Sequence, residues 1–166
     1  MPTIEKWRSY LRGSRRNLQI RAARALLDRA REIDLADLLF ILDEFSLEGL
    51  GAAAERALLD RAGPDLVSPM RARLTSSEQF LRETACTVLG RCGDFSATPD
   101  LVAALRDPAM MVRRAAGFAL AMLKDPASLP HLREAAAFAV TDDTNVRWAI
   151  DIALRALEAD KAPRTA

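Results

Sequence analysis

Any chemistry in this chain would have to be built from few parts. The sequence holds one histidine, His131, and two cysteines, Cys86 and Cys92. A single histidine excludes a His-rich metal cluster within one chain, and neither CxxC nor HExxH occurs. The cysteines are six positions apart on an expected helix, about 600° of rotation, so they face different sides and cannot pair locally. Both read as packed small hydrophobes. No nucleophile elbow surrounds a serine or cysteine, and no glycine-rich phosphate loop is present. Asp43-Glu44 and Asp142-Asp143 resemble acid–base pairs, but sequence neighbours do not face each other on a helix. Asp142-Asp143 suits a helix start instead, where the dipole favours negative charge. His131 follows Pro130 in the first turn of an expected helix and reads as a surface residue. The inventory predicts no catalysis, no metal and no cofactor.

The elements that would position these residues are set by an internal repeat. Ala-Leu-Leu-Asp-Arg-Ala occurs at 25–30 and again at 57–62. In that register Leu18, Leu50, Leu81, Val112 and Val146 occupy one point of successive units. Ala22, Ala54, Ala85, Ala116 and Ile150 occupy a second; a third and a fourth follow three and four residues later. Spacings i, i+4, i+7 and i+8 mark one face of an α-helix. Each such helix is followed by a break, as at Gly63-Pro64, Gly93-Asp94 and Asp125-Pro126, and then by a second apolar run. Pro99 and Pro130 align in those second runs, where the first turn tolerates a missing N–H. Ser14, Ser46, Ser76 or Ser77, Asp107, and Asp142 or Asp143 are the expected caps of the first helices.

Asp107 to Ala121 (DPAMMVRRAAGFALA) and Phe80 to Asp94 (FLRETACTVLGRCGD) resemble HEAT repeats, most of all the short, phycobilin-lyase-like subclass common in bacteria. The resemblance covers roughly residues 14–159. It implies an all-α, right-handed α-solenoid (an α-α superhelix, or armadillo-type fold) of about five helix pairs. The expected organisation is a single domain, 1–166, with an N-terminal capping helix at 3–12. Repeats follow at about 14–45, 46–76, 77–107, 108–141 and 142–159, with a polar tail at 160–166. In this class the arginines after the first apolar position, here Arg82, Arg113 and Arg147, are expected to pair with an acidic residue of an adjacent turn.

The formal charge of +1 supplies no global field for nucleic acid or membrane. Residues 1–31 nevertheless hold nine basic and two acidic side chains, and 32–60 hold one basic and eight acidic. Two accounts fit: complementary solvated faces, or a basic docking face. With no apolar run long enough to span a membrane and no secretory segment, a cytoplasmic protein is expected, as a monomer or weak homo-oligomer.

In the resembled family the second helices line the concave face and carry the contacts. With Leu38, Leu42, Met70, Leu74, Leu101, Leu105 and Leu132 inward, the outward positions are Asp37, Phe40, Ile41, Pro69, Arg73, Thr98, Asp100, His131 and Glu134. Trp148, on the last first-helix, is added as a candidate anchor. This mixed surface suits another protein better than a phosphate backbone. The expectation is therefore a non-catalytic protein-binding scaffold or adaptor, chaperone- and immunity-type inhibitors included. Nucleic-acid binding through the basic N-terminal segment and a lyase-like enzyme are the alternatives. A DNA-glycosylase reading fails for want of a basic, aromatic-lined set in the second helices.

Overall fold

The computed structural model describes residues 2–138 and 144–159, and these form helices joined by short turns, without a strand. The expected cap at Asp142 or Asp143 and the tail at 160–166 lie outside them. The chain divides into two compact units, Met1–Arg61 and Ala62–Ala166.

The first unit contains α1 (Ile4–Leu11), α2 (Arg16–Leu27), α3 (Leu35–Phe45) and α4 (Gly51–Leu59). Thr3 caps α1, accepting from the Lys6 N–H. Helix α1 packs on α2, and its apolar stripe ends in the fully buried Leu11. Helix α3 is apolar around most of its circumference, and Leu38, Ile41, Leu42 and Phe45 are all fully buried. It starts at Asp34, whose side chain accepts from the Asp37 N–H. A tight turn, Ser46–Leu50, leads into α4, with Gly49 at φ 75° where a side chain would be strained.

The second unit contains α5 (Pro64–Arg73), α6 (Gln79–Cys92), α7 (Thr98–Ala104), α8 (Met110–Leu123), α9 (Leu129–Phe138) and α10 (Thr144–Ala159). Helix α8 packs between α6 and α10, while α5 lies on α6, α7 on α8 and α9 on α10. The repeat register accounts for the core. Leu81, Ala85, Val88 and Leu89 of α6 and Val112, Ala116, Ala119 and Leu120 of α8 are buried, as are Val146, Ile150 and Ala153 of α10. Each such large side chain contributes about 1.5–3 kcal/mol by leaving water. Small residues set the spacing. A Cβ added at Gly90 would stand 2.6 Å from the Ala119 Cα, so α6 and α8 meet backbone to backbone. These packed helix pairs make the fold an α-solenoid.

Helix ends repeat as well, though not where the cap reading put them. Helices α6 and α8 stop one repeat apart at Gly93 (φ 73°) and Lys124 (φ 54°), both left-handed. Asp94 and Asp125 follow, and their carboxylates accept from the Ser96 and Ala127 N–H groups. The hydrogen bond from Ser96 holds the Asp94 carboxyl below the usual range. Ser14 and Ser46 do not cap: α2 begins at Arg15 without a side-chain cap, and Ser46 lies within the tight turn. Ser76 and Asp107 each stand three residues before their helices, α6 and α8, and accept from the Glu78 and Ala109 N–H groups. Each closes a local side-chain turn, because its oxygen reaches the N–H two residues on before the first helical turn begins.

Candidate functional site

The arginine ladder expected from the sequence is structural where it is described. The Arg82 Nε and Nη2 donate to both carboxylate oxygens of Asp107 at 2.8 and 3.1 Å, across one repeat. Its Nη1 donates to the Ser76 and Ser77 carbonyls. Arg113 repeats that second contact one unit later, on the carbonyls of Asp107 and Pro108. Burial works to raise the Asp107 carboxyl, but the Arg82 hydrogen bonds, the Ala109 N–H and the nearby guanidinium charges outweigh it. The group is held below the usual carboxylate range. Arg147 is exposed.

The candidate residues at the front of the chain divide into a polar clamp and a core. Asp37 is 1% exposed and receives the Arg8 Nε at 2.5 Å and the Arg12 Nη2 at 2.8 Å. Expected to face outward, it is instead the buried acceptor that joins α1 to α3. Ile41 is fully buried beside it. Arg8 and Arg12 of α1 reach across to Asp37, a contact that a solitary helical wheel does not show. Phe40 is half-buried beneath the Arg12 guanidinium, 5.7 Å from its ring centre. Arg16 pairs with Glu48, donates to the Glu44 carbonyl and stacks on Phe45. Arg8, Arg12 and Arg16 of the basic segment are thus neutralised by the acidic stretch that follows it.

In the second unit, the second helices carry the remaining candidates, joined by ion pairs. The Arg71 Nε of α5 stands 2.6 Å from the Asp100 Oδ2 of α7. Arg106, just past α7, reaches Glu134 of α9 at 2.6 Å. Arg133 reaches Glu158 of α10 at 3.4 Å. Pro69 lies inside α5, and its carbonyl accepts from the Arg73 Nη1 at 2.8 Å. Asp100 and His131 share one register, a repeat apart: Asp100 is partly exposed, His131 and Glu134 exposed. Thr98 is a further correction, because it is 4% exposed at the start of α7 rather than outward. Its hydroxyl and the Asp100 Oδ2 are both buried without a hydrogen bond. The Arg71 Nε nevertheless stands 2.6 Å from that Asp100 oxygen, so its charge is balanced there. Buried polar atoms without a hydrogen bond are uncommon in folded proteins. Arg71 and Arg106 were missed as site residues; their pairing with acids 28–29 residues on was the available signal.

Trp148 stands apart from this ridge, on α10. It is 59% exposed, with its ring edge-on to Phe118 at 5.4 Å. The cysteines are poor nucleophiles: burial pushes the Cys86 thiol up to about 12 and raises Cys92 as well. Among the described residues no group of three or more His, Cys, Asp or Glu side chains could hold a metal ion. No described helix is long and apolar enough to cross a membrane.

A family model described as HEAT repeats matches residues 67–155. No curated protein matches the sequence. Among solved structures, human deoxyhypusine hydroxylase in complex with glycerol is similar at a TM-score of 0.61 and 23% identity. The likeness covers 94% of this chain and 62% of that one, so the chain spans less than two thirds of the enzyme's length. At this identity the likeness establishes the fold alone, but it overturns the expectation of a non-catalytic scaffold. That expectation took the repeat fold as a sign of binding without chemistry, and nearly the whole of this chain shares its fold with part of an enzyme.

Proposed function

Because the chain belongs to the HEAT-repeat family, with an enzyme among the structures that share its fold, we propose that it is a lyase-like enzyme working at the second-helix ridge of its second unit. The observation that carries this reading is the set Arg71, Asp100 and His131. A carboxylate is held by charge with one oxygen lacking a hydrogen bond, and an imidazole stands one repeat on in the same register.

The chemistry suited to this set is redox-neutral elimination or addition. Asp100 takes a proton from carbon as the bond to the leaving group breaks, and His131 returns a proton to the departing atom. Imidazole is the side chain whose ordinary titration lies nearest neutrality, which suits it to that second step. Arg71 orients the carboxylate and favours an anionic substrate. Arg106 and Glu134 border the site and contribute binding rather than proton transfer.

The test is untargeted metabolite and intact-protein mass spectrometry of a lysate from cells lacking this chain, with purified chain added back. The wild-type chain should change the mass or abundance of a defined species, with about a 100-fold loss of rate in Asp100→Asn and His131→Gln. A lysate in which nothing changes, or in which both variants act like wild type, sinks the assignment.

A further inference from the structure

The first helices of the second unit carry a surface that this chemistry does not use. Helices α8 and α10 pack side by side, and on their outer side residues three or four apart line up along each helix. On α8 the sequence is Arg114, Phe118, Met122; on α10 it is Trp148, Ile152, Arg155. Trp148 and Met122 are 59% and 46% exposed, and the Phe118 and Trp148 rings meet edge to face. Trp148 and Met122 thus present apolar surface to water, with the half-buried Phe118 between them.

The rim of this patch is basic. Arg114 lies one turn before Phe118, Arg147 beside Trp148 and Arg155 two turns beyond it, and Arg91 of α6 shares the register of Met122. None of these four arginines makes an ion pair among the described residues, in contrast to Arg71, Arg82, Arg106 and Arg133 in the same unit. Among the described residues, α6, α8 and α10 carry three carboxylates, Glu83, Asp151 and Glu158, and Glu158 is paired with Arg133. An apolar strip between two parallel ridges accepts a third helix by the same ridge-into-groove packing that joins α8 to α10. Tryptophan and arginine are also the side chains that concentrate binding energy at interfaces.

We propose that the α8–α10 face docks an acidic amphipathic helix of a partner protein, with Trp148 and Phe118 as the apolar anchor and the arginine rim reading its carboxylates. The site is separate from the second-helix ridge, so Trp148→Ala is expected to leave any activity of that ridge unchanged.

The experiment pans a displayed library of helical peptides against the full chain, with the Trp148→Ala chain as counter-selection. Enriched peptides should carry large apolar residues at i, i+3, i+4 and i+7 and Asp or Glu on the flanks. In a Trp7→Phe background Trp148 is the sole tryptophan, and its fluorescence then reports binding of a synthetic enriched peptide. Affinity should fall at least tenfold in Phe118→Ala and in Arg114→Glu/Arg147→Glu, and Glu-to-Lys substitution in the peptide should abolish it. Circular dichroism verifies that each variant folds. Failure to enrich over Trp148→Ala, or enrichment of basic peptides, overturns the proposal. So does sedimentation showing a dimer that Trp148→Ala dissociates, because the face would then belong to a second copy of the chain. Tighter binding of a single-stranded oligonucleotide than of any peptide, lost with the same arginines, would also overturn it.

Discussion

Replacing Asp107 tests whether the arginine ladder holds neighbouring repeats together or merely decorates them. The carboxylate accepts two hydrogen bonds from Arg82 and one from the Ala109 N–H. Both side chains of the pair are well covered, at 13% and 10% exposure. Exposed ion pairs contribute about 0–1 kcal/mol, whereas removing one partner of a buried pair costs about 3–5 kcal/mol. This pair lies nearer the buried limit but keeps some solvent, so Asp107→Ala is expected to cost about 2–3 kcal/mol. The Ala109 N–H and the Arg82 charge both lose their partner, which places the estimate above a single neutral hydrogen bond. Urea unfolding followed by circular dichroism supplies the measurement, with Arg82→Met and the double variant completing a cycle. A coupling of about 1–2 kcal/mol is expected between the two sites. The pH dependence gives an independent check. The folded Asp107 pKa is lowered, so its stabilisation is fully present above the unfolded carboxyl value of about 4. It is lost as pH falls through the lower folded value. The gap between wild type and Asp107→Asn should therefore hold at neutral pH and close in acid. A cycle additive within about 0.5 kcal/mol, or a gap that does not change with pH, would refute the clamp.

Three further outcomes follow from the packing. Gly90→Ala forces a methyl into the Ala119 backbone at 2.6 Å and should lower stability by about 1–3 kcal/mol in a denaturation curve. Lys124 holds a left-handed conformation that its counterpart Gly93 adopts without strain, so Lys124→Gly should raise the melting temperature through a gain of up to about 1 kcal/mol. The Cys86 thiol, at about 12 and fully buried, should resist iodoacetamide at pH 8 until the chain unfolds, as followed by intact mass; labelling of the folded chain at Cys86 would contradict its placement.

The repeat was legible because burial in the stack is periodic. Leucine and alanine at i, i+4, i+7 and i+8 have to face neighbouring helices in every unit, so pattern and core coincide. What the register could not show depends on contacts from outside the repeat. Asp37 looks like an outward carboxylate on α3, yet Arg8 and Arg12 reach it from α1, a helix with no place in the repeat. The basic N-terminal segment and the acidic stretch after it were legible as charge, but not as mutual neutralisation. The caps were misplaced for a local reason: Ser76 and Asp107 satisfy an N–H two residues on, so the helix begins later than the capping residue suggests. On the second helices, Asp100 is partly exposed and His131 and Glu134 are exposed, as the outward register predicts. Thr98 was lost because the start of α7 is tucked against its neighbours.

The step from fold to function failed for a different reason. A helical repeat supplies surfaces, and whether one binds or also reacts depends on a few side chains that the repeat does not constrain. In this chain, charge pairing separates the two kinds of surface. Along the second helices Arg71 and Arg106 are held by acids one repeat away, and the Thr98 hydroxyl and Asp100 Oδ2 lack a hydrogen bond, with Asp100 in the register of the only histidine. On the α8–α10 face the reverse holds: arginines with no ion pair among the described residues flank the exposed Trp148 ring. Neutralised charge with an orphaned acceptor is suited to proton transfer on a small group. Unneutralised charge around apolar surface is suited to a large partner that brings its own carboxylates. Docking at α8–α10 should therefore weaken steeply as ionic strength rises.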